Sequence, residues 1–170
     1  MVSLIFLSMR PRQWTKNLIL FAPLIFSQHL LNTDYLLKSL TAFAIFCIIS
    51  GCIYILNDII DLEQDKKHPL KSKRPLASGK LQPAVARIAL ACCMIIAISG
   101  AVFYCNASFV YIALLYIVLQ IVYSLYLKHV VIIDVFCIAA GFMLRVAAGA
   151  EALQVTFSTW LFVCTILLSL

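Results

Sequence analysis

Four carboxylates, Asp58, Asp61, Glu63 and Asp65, fall within eight residues, directly after Asn57 and an uncharged, mostly apolar run from Ser39 to Leu56. If one helix carries through them, Asp58, Asp61 and Asp65 follow i, i+3, i+7 spacing and share a face, Asn57 joins from its edge, and Glu63 points elsewhere. Like charges stacked one turn apart repel, so such a face calls for a cation or a basic partner among the acids. Hard oxygen donors of this kind suit magnesium, held through one or two carboxylates with phosphate oxygens and waters completing the shell. A solvated helix end, with acids and lysines marking a membrane boundary, fits the same spacing.

Basic residues are close by in sequence. Lys66, Lys67, Lys71, Lys73, Arg74 and Lys80 follow in a connection broken by Pro69, Pro75 and Pro83, and Arg87 opens the next apolar segment. Ahead of the acids, Arg10, Arg12, Trp14 and Lys16 follow an apolar stretch. They read as a headgroup anchor, or Arg12 and Lys16, four apart on one face, look into the acidic compartment and help hold a phosphate. Asp134 and Arg145 occupy a later apolar segment, nearly on one face but about 16 Å apart along a helix axis. Each therefore needs a partner on another helix or a wet cavity. Asp134 is expected to pair with Lys128 or a loop cation; Arg145, between Gly141 and Gly149, is an interhelix anchor or a deep contact for an anionic substrate. His29, His68 and His129 have no second ligand at metal-binding spacing and read as boundary residues. Neither a GxxxxGK[ST] nor a GxGxxG run is present.

The elements that must position these groups are membrane helices. The 170 residues are 64% hydrophobic and 12% charged, with mean hydropathy +1.05, against about 25% charged in soluble domains. The expected fold class is an all-α, polytopic membrane helix bundle. In that setting a net charge of +6 speaks for topology and anionic headgroups, not nucleic acid. Seven cysteines lie in apolar stretches without a CxxC pair and read as small hydrophobes. Met1 to Ser8 lacks a basic leader and a small-residue cleavage site, against a cleavable signal peptide.

The pattern predicts a short or kinked helix over Leu18–Leu31, with Pro23 inside it. A second helix runs from about Tyr35 into the acids, capped at Asn32-Thr33-Asp34. Further helices are predicted over 84–104, 109–127 and 131–148, with a turn at Gly149–Glu151 and a sixth helix from near Phe157. Alternate crossings put residues 10–16, the acidic loop and Lys128 on one side, which the positive-inside rule makes cytoplasmic. The expected location is thus the inner (cytoplasmic) membrane, multi-pass. The final apolar run stops short of the roughly 20 residues a span needs, so residues 1–170 are expected to be a single transmembrane domain of about six helices, incomplete at the carboxyl end. Oligomeric state is left open.

A cation channel does not explain a dense basic loop beside acids, and transporters commonly place their sites at the midplane. A magnesium-dependent enzyme acting on a phosphorylated substrate uses both signs, acids for the metal and lysine or arginine for phosphate.

Asn57-Asp58-Ile59-Ile60-Asp61-Leu62-Glu63-Gln64-Asp65 resembles the NDxxDxxxD motif of UbiA-type intramembrane prenyltransferases. Several further stretches resemble the branch that includes decaprenyl-phosphate phosphoribosyltransferase: Arg10-Pro11-Arg12-Gln13-Trp14-Thr15-Lys16-Asn17, Phe21-Ala22-Pro23-Leu24, His68-Pro69 with Arg74-Pro75-Leu76-Ala77-Ser78-Gly79, Tyr123-Ser124-Leu125-Tyr126-Leu127-Lys128, and Gly141 to Gly149. The resemblance implies the N-terminal part of a nine-helix fold whose second polar motif lies in a later loop. It implies transfer of a 5-phosphoribosyl group from phosphoribosyl diphosphate to a polyprenyl phosphate, with release of pyrophosphate. Asn57, Asp58, Asp61 and Asp65 would hold Mg2+ and the diphosphate, with Asp58, Asp61, Lys16 and Lys128 as catalytic groups. Asn57, Lys71, Arg74, Arg145 and Arg12 would bind substrate. The alternatives are isoprenyl transfer to an aromatic acceptor and an inactive remnant.

Overall fold

The computed structural model describes residues 1–156 and 159–169, all-helical with connecting turns. Helix α1 (Val2–Ser8) leads into a 3-10 segment (Pro11–Phe21) and the short α2 (Ala22–Phe26), followed by α3 (Thr33–Ile60), α4 (Leu62–Lys67), α5 (Pro83–Tyr104), α6 (Ala107–Leu125), α7 (Val131–Leu153) and α8 (Thr159–Ser169). Among the described residues four helices are long and apolar enough to cross a membrane: Thr33–Ile60, Pro83–Tyr104, Ala107–Leu125 and Ile132–Leu153. The all-α membrane bundle is as expected.

α3 is the central rod. It packs against α5, α6, α7 and the 3-10 segment, and Ala42, Phe46, Ile49 and Ile53 meet Phe109, Ala113 and Tyr116 in the main core. Its start is fixed as the sequence suggests: the Asn32 side chain accepts from the backbone N–H of Asp34 at 3.0 Å and of Tyr35 at 3.5 Å. These bonds satisfy two of the donors a helix start leaves open.

Two expectations need correction. Leu18–Leu31 is not one kinked helix. Tight 3-10 winding continues to Phe21, Pro23 opens the five-residue α2, and Gln28 adopts a left-handed conformation (φ 59°). In 3-10 winding residues three apart eclipse, so Trp14, Asn17 and Leu20 form the inward stripe, Asn17 and Leu20 being buried. The helix predicted over 131–148 does not turn at Gly149 either; it continues to Leu153 and ends where Gln154 is left-handed (φ 55°). The predicted sixth-helix start at Phe157 lies outside the described residues.

Gly149 has a packing role. A Cβ there would collide with the Leu20 carbonyl and lie 3.2 Å from Leu20 Cα, so its hydrogen lets the 3-10 segment lie directly on α7. Gly149→Ala is expected to cost about 1–3 kcal/mol, read as a lower thermal midpoint in detergent. Gly51→Ala is expected to cost a comparable amount, because its Cβ would meet Met9 Cε at 2.7 Å, which can rotate away, and Met9 Cβ at 2.9 Å, which cannot.

Candidate functional site

The acids sit where α3 gives way to α4. Asp61 is the junction (φ −89°, ψ 9°), yet the hydrogen-bond ladder crosses it, Asp61 N–H donating to the Asn57 carbonyl at 2.9 Å and Asp65 N–H to the Asp61 carbonyl at 2.8 Å. The side-chain register is therefore helical, and Asp58 and Asp65 are both buried, 2% exposed. The restart puts Glu63 and Asp65 in the first turn of α4, where the helix dipole favours negative charge. Glu63 points away from that face, as expected, and lies in solvent. Its bond from Lys66 at 2.6 Å holds its carboxyl below the usual range.

Cations surround the other three carboxylates. Arg10 donates to Asp58; Arg74 bridges Asp65 at 2.5 Å and Asp58 at 3.3 Å; Lys71 stands 3.9 Å from Asp65. Lys128, in the 3-10 turn Leu127–His129, donates to Asp61. The Asn57 side-chain oxygen accepts from Ser124 on α6. The like-charge problem posed by the spacing is met by arginine and lysine.

Arg74 is held in place by the loop that carries it. Leu76 and Leu81, each 2% exposed, pack against Met9, Ile55 and Ala86. Within the loop Ser78 N–H donates to the Arg74 carbonyl at 2.8 Å, Leu81 N–H to the Pro75 carbonyl at 2.9 Å, and Gly79 takes the positive φ of 75° that a side chain would resist. At the loop entrance His68 is a turn residue, its Nδ1 accepting from the N–H groups of Leu70 and Lys71 at 3.2 and 3.3 Å.

Behind the acids, a cavity of about 230 Å³ is lined by Lys16, Tyr54, Asn57, Gln120, Tyr123 and Arg145, among others. Arg145, 6% exposed, donates to Asn17 Oδ1 at 2.8 Å, the Gly141 carbonyl at 2.9 Å and the Tyr116 hydroxyl at 2.7 Å. Asn57 belongs to both the acid cluster and this cavity.

The structure thus gathers Asn57, Asp58, Asp61, Asp65, Lys71, Arg74 and Lys128 at one end of α3, with Lys16 and Arg145 in the adjoining cavity. Arg12 is not brought to it. Four steps of 3-10 winding turn it about a third of a turn from Lys16, and it lines an outer groove with Ser3, Leu4 and Phe6 instead. Asp134 does not pair with Lys128 or a loop cation: it accepts from Tyr123 at 2.7 Å, because Lys128 is drawn to Asp61. Sequence reasoning missed Arg10 as the partner of Asp58, Asn17 as the orienting acceptor of Arg145, and the cavity residues Tyr54 and Gln120. Gln120 was the available signal, the one amide inside the predicted helix 109–127 of the uncharged run 88–127.

For magnesium, the donor chemistry fits: all are oxygens, and Asn57 and Asp61 lie one turn apart beside the cavity, Asp61 the most open at 24% side-chain exposure. The full set does not converge on one point, however. Asp58 and Asp65 turn to the arginines, and among the described residues no three His, Cys, Asp or Glu side chains form a metal cluster.

Comparison with known proteins identifies the family and the fold. The profile of the UbiA prenyltransferase family matches residues 18–170. The chain is 34% identical over 164 residues to decaprenyl-phosphate phosphoribosyltransferase of Mycolicibacterium smegmatis, covering 94% of this chain and 51% of that protein. It is 36% identical over 162 residues to the Corynebacterium glutamicum protein of the same name, covering 90% and 47%. The chain spans about half the length of these curated relatives. In fold it matches a UbiA homolog from Archaeoglobus fulgidus bound to GPP and Mg2+, with TM-score 0.77 at 19% identity, covering 98% of this chain and 59% of that one.

Proposed function

Because the chain belongs to the UbiA prenyltransferase family, we propose that its ion-paired acid cluster is the diphosphate end of a magnesium-dependent membrane transferase. The reaction is transfer of a 5-phosphoribosyl group from phosphoribosyl diphosphate to a polyprenyl phosphate. The observation that carries this reading is the charge balance: at the acid cluster Arg10, Lys71, Arg74 and Lys128 face Asp58, Asp61 and Asp65, one more cation than carboxylates, and Lys16 and Arg145 stand in the adjoining cavity. Such a site suits a polyanion accompanied by a metal ion. The relatives named for phosphoribosyl transfer favour that donor.

In the reaction, a lipid phosphate oxygen bonds to the ribose anomeric carbon as the C–O bond to pyrophosphate breaks, and the leaving group takes the electron pair. No protein base is needed, because the phosphate nucleophile is already ionised. Asn57 and Asp61, with Asp58 and Asp65 beside them, would hold magnesium, which when bound offsets charge on the departing pyrophosphate. Lys71, Arg74 and Lys128 trade carboxylate for phosphate oxygens as the diphosphate arrives. The apolar outer faces of α5 and α6 suit the lipid chain, and the positive-inside rule supports a cytoplasmic position for this end.

Pyrophosphate release, measured in two mixtures, tests the reading. It is expected with phosphoribosyl diphosphate plus polyprenyl phosphate and magnesium. Release only with an isoprenyl diphosphate plus an aromatic acid would replace this reading by the prenyltransferase one.

A further inference from the structure

We infer that the cavity between Lys16 and Arg145 is a second anion subsite, separate from the acid cluster, built for a phosphate monoester. The inference rests on the donor and acceptor proposed above, because both carry a monoester: the donor at the ribose carbon remote from its diphosphate, the acceptor at its lipid head. An isoprenyl diphosphate carries none.

Arg145 is the central observation. It lies eleven residues beyond Asp134 on α7, about 16 Å deeper along the axis, and is 6% exposed. A buried membrane arginine pairs with an opposite charge or with backbone carbonyls, and such residues mark substrate and ion pathways. Among the described residues no carboxylate oxygen lies within 4.0 Å of it. Its hydrogen-bond acceptors, Asn17 Oδ1, the Gly141 carbonyl and the Tyr116 hydroxyl, are all neutral, and it stands over the rings of Tyr116 and Phe142 at 4.8 and 5.4 Å. These partners fix the guanidinium plane and leave its charge uncancelled.

The neighbours are arranged to share an anion with it. Tyr116 oxygen accepts from Arg145, so its own O–H remains a donor. Asn17 is locked by donating to Ser50 at 3.0 Å, so it orients the arginine without competing for a ligand. Lys16, next in sequence to Asn17, brings a second cation to the same cavity. At about 230 Å³ the space lies below the usual range for a whole drug-sized ligand and suits a head group. Asn57 on its margin joins it to the acid cluster, so a phosphate held at the arginine and a diphosphate held at the acids belong to one continuous site.

The test is equilibrium binding to the purified chain in detergent, with ribose 5-phosphate, farnesyl phosphate, magnesium pyrophosphate and 4-hydroxybenzoate as separate probes. Lys16→Gln and Arg145→Gln are each expected to weaken one of the monoesters by about tenfold, the scale of one charge-assisted hydrogen bond, and to leave magnesium pyrophosphate within about twofold. Loss of ribose 5-phosphate places the donor's far end in the cavity, and loss of farnesyl phosphate places the acceptor head there. Lys16 is exposed, so its substitution does not disturb the core, and Arg145→Lys, which keeps the charge, is expected to retain part of the affinity. Unchanged binding of both monoesters in Lys16→Gln and Arg145→Gln would overturn the inference, as would 4-hydroxybenzoate being the probe that is lost. Failure of the wild type to bind magnesium pyrophosphate would sink the transferase reading, while cavity-dependent monoester binding would still stand.

Discussion

Asp61→Asn is expected to lower magnesium-dependent pyrophosphate release by roughly 10²-fold or more, the scale of removing one charge-stabilising group from a reacting centre, while the protein still inserts into membranes. Asp61 is the most open of the three clustered carboxylates and has one cationic partner, Lys128, with side-chain exposures of 24% and 20%. The pair is mostly buried, so removing its negative charge is expected to cost about 1–3 kcal/mol, and turnover is compared per amount of folded protein recovered. The amide keeps the shape and removes the charge that draws the metal. A raised magnesium requirement is the accompanying signature; turnover equal to wild type at limiting magnesium would remove Asp61 from the metal site.

Arg74→Met is expected to act on stability as much as on activity. Its guanidinium neutralises Asp58 and Asp65, which are almost fully buried. Breaking one partner of a buried pair costs roughly 3–5 kcal/mol. Here about 2–3 kcal/mol is expected, because Arg74 itself is 27% exposed, Asp58 keeps Arg10, and Asp65 keeps Lys71 at 3.9 Å. Asp65→Asn in the Arg74→Met background is expected to recover part of that stability by removing the stranded charge. Chemical unfolding of the four proteins of this double-mutant cycle gives the coupling; additive losses would show that Arg74 does not act through Asp65.

The spacing of the acids carried much of this site in plain view. An apolar run followed by Asp58, Asp61 and Asp65 fixes both the helix and the shared side, since the i→i−4 ladder persists through Asp61. The long spans were legible from apolar length: α6 as an uncharged stretch, α5 after Arg87, α3 through its run Ser39–Leu56, and α7 although it carries Asp134 and Arg145. The N-terminal segment was not. Reading residues 10–20 with a period of 3.6 placed Arg12 beside Lys16 and gave no role to Asn17. The 3-10 period of three turns Arg12 outward and Asn17 onto Arg145. Arg10 was read as a headgroup anchor and not as the partner of Asp58; it sits on a left-handed backbone (φ 52°) at a non-glycine residue, which no local pattern announces. Competition among partners decided Asp134: Lys128 had two carboxylates to choose between, and the fold gave it to Asp61 and left Tyr123 for Asp134.

Following both ends of the donor tests the central claim most directly. With phosphoribosyl diphosphate labelled by tritium in the ribose and by 32P in the β-phosphate, incubated with polyprenyl phosphate and magnesium, tritium is expected in the lipid extract and 32P in aqueous pyrophosphate. Chelation of magnesium or Asp61→Asn should abolish both transfers together. Both labels remaining in intact aqueous donor, while geranyl diphosphate is consumed with an aromatic acceptor, would contradict the account.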